Sequence, residues 1–153
     1  MFHMASSRAA TIEDLSHIRG KAEIVGGELV LMSPAGGFVV NLENRRSFCP
    51  DAAFCTQSLT RTFIDGAPVF AVEVRSLDDF GPAAERAMAA KRSDYFAAGT
   101  VVVWGVDTLK EQVVRAYRAS EPEAPTVFHR GERADAEPAL PGWSMPVDEL
   151  SPA

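Results

Sequence analysis

A chain of 153 residues with 46% hydrophobic and 24% charged residues has the length and make-up of one globular domain around one core. Its longest apolar runs, such as "TVVVWGV", are too short to cross a bilayer, and the opening "MFHMASSRAA" lacks the apolar stretch of a signal peptide, so a cytoplasmic location is expected. The net charge of −6 gathers at one end: residues 1–120 carry 13 Lys and Arg against 14 Asp and Glu, and residues 121–153 carry 2 against 7, which leaves no basic stripe for a dedicated DNA-binding module.

Residues 1–10 read as a disordered tail, and 11–153 as the single domain. "TIEDLSHIRG" predicts a short helix, with Thr11 as N-cap, acids in the first turn and Gly20 as the stop. "KAEIVGGELVLMSP" is two apolar runs about Gly26-Gly27, a dipeptide that tight primed turns favour, and predicts a hairpin. "FVVNLENRRSFCPDAAFC" gives two extended pieces around the polar turn "NLENRR". In the second, Asp51, Ala53 and Cys55 share a face opposite Ala52 and Phe54, and Pro50 holds Cys49 extended at the strand's start. No further Cys or His lies near Cys49 and Cys55, so neither a zinc site nor a disulfide framework is indicated, and Cys55 reads as a small buried apolar residue.

"VFAVEVRS", residues 69–76, predicts a buried strand that carries two charges. Alternation puts Phe70, Val72 and Val74 on a core face and Val69, Ala71, Glu73 and Arg75 on the other. The second face starts apolar and ends charged, as a strand does when its C-terminal end opens into a cleft. An ordinary surface ion pair is the bland alternative. Pro82 then opens the strongest helix, "AAERAMAAKRSDYFAAG", which Gly99 closes. Its stripe of Ala84, Met88, Lys91 and Tyr95 turns Lys91 toward the sheet, unless the lysine merely snorkels from the edge of that face. "TVVVWGVD" and "QVVRAYRA" predict strands joined at "TLKE", and "PALPGWSMPVDEL" an extended segment with a last turn.

Asp51, Glu73, Arg75 and Lys91 thereby converge. Two carboxylates on adjacent strands can hold a divalent cation through oxygen, and a nearby cationic side chain can activate the attacking water. Glycoside hydrolysis also uses two carboxylates, but the basic pair favours phosphate chemistry.

"PDAAF", "VFAVEVRS", "AAKRSDYFAAGTVVVWGVD" and "LPGWSMPVDEL", with "KAEIVGGELVLMSP" before them, resemble the Uma-two family of restriction endonucleases in the PD-(D/E)XK nuclease superfamily. The resemblance covers most of the chain. It implies an α/β, restriction-endonuclease-like mixed sheet flanked by helices, Asp51 and Glu73 as ligands of Mg2+ or Mn2+, the family's helical lysine at Lys91, a nucleic-acid substrate, DNA foremost, and a homodimer. Arg75 stands where the superfamily's usual lysine would be and is expected to contact a phosphate oxygen. Tyr95, Trp104 and Asp107 also match, with Tyr95 and Trp104 read as packing residues.

After "LMSP" the family's usual order runs through a long amphipathic helix and another strand, whereas here "LMSPAGG" passes straight into "FVVNLENRRSFCPD". Losing some five buried apolar side chains at ~1.5–3 kcal/mol each forfeits roughly 7–15 kcal/mol, against a total stability of about 5–15 kcal/mol. A shortened chain must repack, associate through the uncovered sheet face, or be marginal. Two functions follow as expectations: a metal-dependent endonuclease, or a catalytically silent remnant of that fold acting through protein association.

Overall fold

The computed structural model describes residues 2–4, 22–25, 28–31, 37–57 and 63–150. In chain order the strands are β1 (Phe2–Met4), β2 (Ala22–Val25), β3 (Glu28–Leu31), β4 (Gly37–Val39), β5 (Ser47–Phe48), β6 (Ala52–Cys55), β7 (Phe63–Asp65) and β8 (Phe70–Val74). Helix α1 (Pro82–Ala97) follows, then β9 (Val102–Asp107), β10 (Val113–Arg118), β11 (Glu121–Phe128), β12 (Arg133–Asp135), β13 (Ser144–Pro146) and a 3-10 turn at Val147–Leu150. Eight strands form one mixed sheet in the order β1-β3-β2-β6-β8-β9-β10-β11, while β5-β4-β7 and β12-β13 form two small sheets.

The two strands of the expected hairpin are present, β2 and β3 antiparallel with Val25 opposite Glu28, while the Gly26-Gly27 turn lies outside the described residues. The helix expected at Thr11–Gly20 lies outside the described residues. Phe2–Met4 departs from the expected disordered tail: it pairs antiparallel with β3, Phe2 opposite Leu31. The exposed backbone groups of a sheet edge are a ready template for such a short strand. The second extended piece of the "FVVNLENRRSFCPDAAFC" segment is split at Cys49-Pro50. Its first part, β5, pairs with β4, and its second, β6, joins the large sheet beside β8.

Strand β8 sits between antiparallel β6 and parallel β9, and both of its faces are packed. On one face Phe70 and Val72 join Val102, Trp104, Val106, Val114 and Ala116 under Ala134, Ala136, Met145 and Val147 of the C-terminal segment. On the other, Ala71 joins Ala53, Cys55 and Val103 under Phe38, Phe48 and Ile64 of the small sheet and Tyr95 of α1. Cys55 is buried in this second cluster. The uncovered apolar face expected of a shortened chain is therefore not found on β6, β8, β9 or β10. Among the described residues the exposed large apolar side chains are Val39, Val74, Leu77 and Leu109. Strand β11, with Pro122 and Pro125, has no counterpart in the sequence reading, because proline argues against a strand. Among the described residues it pairs only with β10 and lies at the sheet's edge, where a missing N–H costs no ladder bond.

Helix α1 forms the crossover between parallel β8 and β9. Gly81 caps it, Pro82 occupies its first turn, and Gly99, at φ +108°, ends it in a conformation that a side chain would strain. At the far end of β9, Asp107 is 2% exposed, and its carboxylate accepts from the backbone N–H groups of Leu109, Lys110 and Glu111 at 2.9, 2.9 and 3.2 Å. Burial pushes its pKa up, but those three amides outweigh burial and, with Arg75, leave it below the ordinary 3.8. The stability it supplies is thus present above that value and lost as the pH falls below it. Asp107→Ala, which orphans three donors at once, is expected to cost roughly 1–3 kcal/mol in urea unfolding at neutral pH. That loss should shrink toward zero as the medium is acidified through the folded-state pKa.

Candidate active site

Glu73 is the fourth residue of β8, on the face beneath α1, and Lys91 and Tyr95 descend toward it from successive turns of the helix. Lys91 Nζ lies 2.7 Å from Glu73 Oε1, and Tyr95 Oη donates to the same oxygen at 2.7 Å. Tyr95 is fully buried and stacked on Phe48, with ring centroids 4.0 Å apart and planes 14° from parallel. The tyrosine therefore fixes the carboxylate from the interior, while the lysine reaches it from the solvent side. The side chains of Glu73 and Lys91 keep 25% and 30% of their exposure, so the cluster is open to a solute. Among the described residues Oε1 takes both contacts and Oε2 takes none.

The inward stripe read from the sequence is the observed one, and Lys91 does not merely snorkel. Sequence reading missed the second role of Tyr95, taken there for packing alone. Its position four residues after Lys91 on the same stripe was the available signal, since both side chains then lie over one strand.

Asp51 stands just before β6, whose first residue Ala52 pairs with Val72, so it comes alongside Glu73. Ala53 and Cys55, its alternation partners, pack on the same face of the sheet as Ala71. Its Oδ2 accepts from the amide of Val74 at 2.7 Å, and its own N–H donates to Val72 O at 3.0 Å. Register thus sets Asp51 beside Glu73 at one end of neighbouring strands, but Asp51 is not among the residues that line the cleft between α1 and the sheet. Among the described residues no group of three or more His, Cys, Asp or Glu side chains is placed to hold a metal ion. The donor set suits a hard cation of the Mg2+ kind, which commonly takes one or two carboxylates and completes its shell with water and substrate phosphate.

Arg75 is engaged elsewhere. Its guanidinium makes a two-point pair with Glu85 of α1 at 2.6 and 3.1 Å, donates to Asp79 O at 2.7 Å, and lies 5.2 Å from the Phe80 ring centroid. The hydrogen bond to Glu85 raises the Arg75 pKa, and the same bond lowers that of Glu85. The pair ties the loop after β8 to the first turns of α1. Between that loop, α1 and the ends of β8, β9 and β10 opens a cleft of about 510 Å³, with Glu73, Lys91 and Tyr95 in its wall.

A βαβ crossover over a mixed sheet, with an acid, a lysine and a tyrosine in its cleft, places the chain among nuclease-like α/β folds. Residues 37–148 match the model of the Uma2 family, described as "Putative restriction endonuclease", and the chain belongs to that family. The match begins at Gly37, directly after the "LMSPAG" where the sequence departs from the family's usual order. A solved structure from Anabaena variabilis, described as "a putative nuclease belonging to DUF820", shares the fold at 19% identity with a TM-score of 0.52. The likeness covers 75% of this chain and 63% of that one, so the present chain spans less than two thirds of its neighbour's length. No curated protein matches the chain. Among the described residues no helix is long and apolar enough to cross a membrane.

Proposed function

We propose that the chain is a metal-dependent endonuclease that hydrolyses phosphodiester bonds in nucleic acid, DNA foremost. The observation that carries this reading is the contact of Lys91 with Glu73 in an open cleft of a nuclease-family fold. Asp51 and Glu73 would hold Mg2+ or Mn2+, which when bound offsets charge growing on phosphate oxygens and makes water a better nucleophile.

The chain's own groups do the rest. Tyr95 keeps Glu73 Oε1 in place, leaving Oε2 directed at a ligand. Lys91 Nζ orients the attacking water by hydrogen bonding and steadies the phosphoryl oxygen that gains charge. The water oxygen bonds to phosphorus and releases a proton to solvent, the bond to the leaving oxygen breaks, and that oxygen takes up a proton from solvent. Arg75 serves as scaffold in place of the phosphate contact expected from sequence, since Glu85 already takes both arms of its guanidinium.

The decisive assay incubates the chain with plasmid DNA and Mn2+ or Mg2+, with EDTA as control. Cleavage that needs the ion supports the reading. No cleavage with either ion sinks it and leaves the alternative of a silent fold that acts through association. The family's homodimer is part of the same proposal and is checked by light scattering.

Metal linkage gives a readout independent of turnover. A cation bound only to the folded state adds about 2.7 kcal/mol when present at a hundredfold excess over its Kd, or several degrees in melting temperature for a chain of this size. Mn2+ is expected to raise the melting temperature of the wild type by that amount and to leave Asp51→Ala unmoved. Equal shifts in both would place the ion elsewhere.

A further inference from the structure

Register lines up three residues across the face beneath α1. Glu73 of β8 stands beside Gly105 of β9, and Gly105 stands opposite Arg115 of β10. The next same-face row is Ala71, Val103 and Tyr117. Gly105 carries no side chain and lines the cleft between Glu73 and Arg115, with the Tyr117 ring leaning over it, Cε2 3.7 Å from where a Cβ would stand. Adjacent residues of α1 serve the two ends of that stretch: Lys91 reaches Glu73, while the Arg92 guanidinium lies 3.9 Å from the Tyr117 ring centroid.

Arg92 is unlike the other cations that line the cleft. Lys91 pairs with Glu73, Arg75 with Glu85, and Arg115 with Glu111 at 2.7 Å, whereas Arg92 has no ion pair among the described residues. At 3.9 Å the Tyr117 ring and the guanidinium make a close cation–π contact, and among the described residues no carboxylate pairs with the Arg92 N–H groups. Of the acids on the opposite rim, Asp79 is occupied by the Ser76 amide and hydroxyl at 2.7 and 3.0 Å, and Asp78 is exposed. A flat guanidinium without a carboxylate partner is the form that binds a phosphate through two parallel hydrogen bonds.

We propose that Arg92, laid on Tyr117, is a second phosphate-binding point, so that the cleft takes a run of linked phosphates, a nucleic-acid strand, and not a lone nucleotide. The proposal deepens the nuclease reading and rests on it. Strands β8 and β10 are two sheet spacings apart, roughly 10 Å. A single phosphate is too small to reach both ends, whereas consecutive phosphates of one strand can.

The test is fluorescence anisotropy with a labelled oligothymidine of about 20 nucleotides, in EDTA, across a salt series. Arg92→Gln is expected to weaken binding roughly tenfold and to lower the salt slope by about 0.7, the share of one phosphate on a single strand. Arg92→Lys keeps the charge without the plane, and should keep the wild-type slope while losing affinity. Arg86→Gln, on the exposed side of the same helix, serves as the control for general charge. The proposal is overturned if the wild type does not bind, if Arg92→Gln binds as wild type does, or if Arg86→Gln costs as much as Arg92→Gln. Binding and cleavage are read separately: Arg92-dependent binding without cleavage would keep the subsite and sink the nuclease reading, and cleavage without Arg92 dependence would do the reverse.

Discussion

Lys91→Met is expected to lower metal-dependent cleavage by about two to three orders of magnitude, the usual worth of a positioned donor to charge that develops in the transition state, with the fold intact. Methionine keeps most of the aliphatic stem along α1, and Glu73 keeps its bond from Tyr95, so the melting temperature should stay close to wild type. Glu73→Gln is expected to be as damaging, because the amide oxygen can still accept from Tyr95 but carries no charge for Lys91 or a cation. Groups that act as one unit lose their effect together, so the double variant Glu73→Gln, Lys91→Met should be scarcely worse than either single one. Multiplicative losses would mean that the 2.7 Å contact between them is incidental to turnover. Wild-type cleavage by Lys91→Met would remove the lysine from the mechanism altogether.

The parts of the fold that sequence made legible are those where local pattern and tertiary context agree. "VFAVEVRS" has the alternation, the turn residues and the burial of a central strand, and it became β8 with Glu73 on the expected face. The helix from Pro82 to Gly99 was legible from its caps and from a stripe whose one fully buried member is Tyr95. What escaped was decided by partners far away in the chain. Nothing local in "SFCPDAAFC" says that its two halves belong to different sheets. Nothing in "EPEAPTVF" outweighs two prolines until β10 offers it an edge. Arg75 escaped for a related reason. Its side is set by alternation, and the cleft is where alternation sends it, but its partner is chosen by Glu85, which becomes a neighbour only once α1 has folded back.

The same dependence on distant partners makes Trp104 the most sensitive point of the core. Its indole is 1% exposed in the middle of β9, meets Phe70 edge-on with centroids 5.1 Å apart, and lies 5.5 Å from the ring of Trp143. Its Nε1 donates to Asp135 O at 3.0 Å, so one side chain joins the sheet to both β12 and the segment before β13. Truncation would empty the centre of the larger cluster, strand the Asp135 carbonyl, and free the C-terminal cover from that face. A Trp→Ala change in a core typically costs about 3–5 kcal/mol, a large share of the roughly 5–15 kcal/mol a domain possesses. Trp104→Ala is therefore expected to lose about a fifth or more of the unfolding free energy in urea, while Trp104→Phe, which keeps a ring against Phe70 and gives up the Nε1 bond and part of the indole's volume, should lose less. Glu73, Lys91 and Tyr95 lie on the opposite face of the sheet from Trp104, so Trp104→Phe should cleave like wild type at temperatures where it remains folded. Comparable losses from the two substitutions would show that the C-terminal segment is held by the single hydrogen bond to Asp135 and not by ring packing.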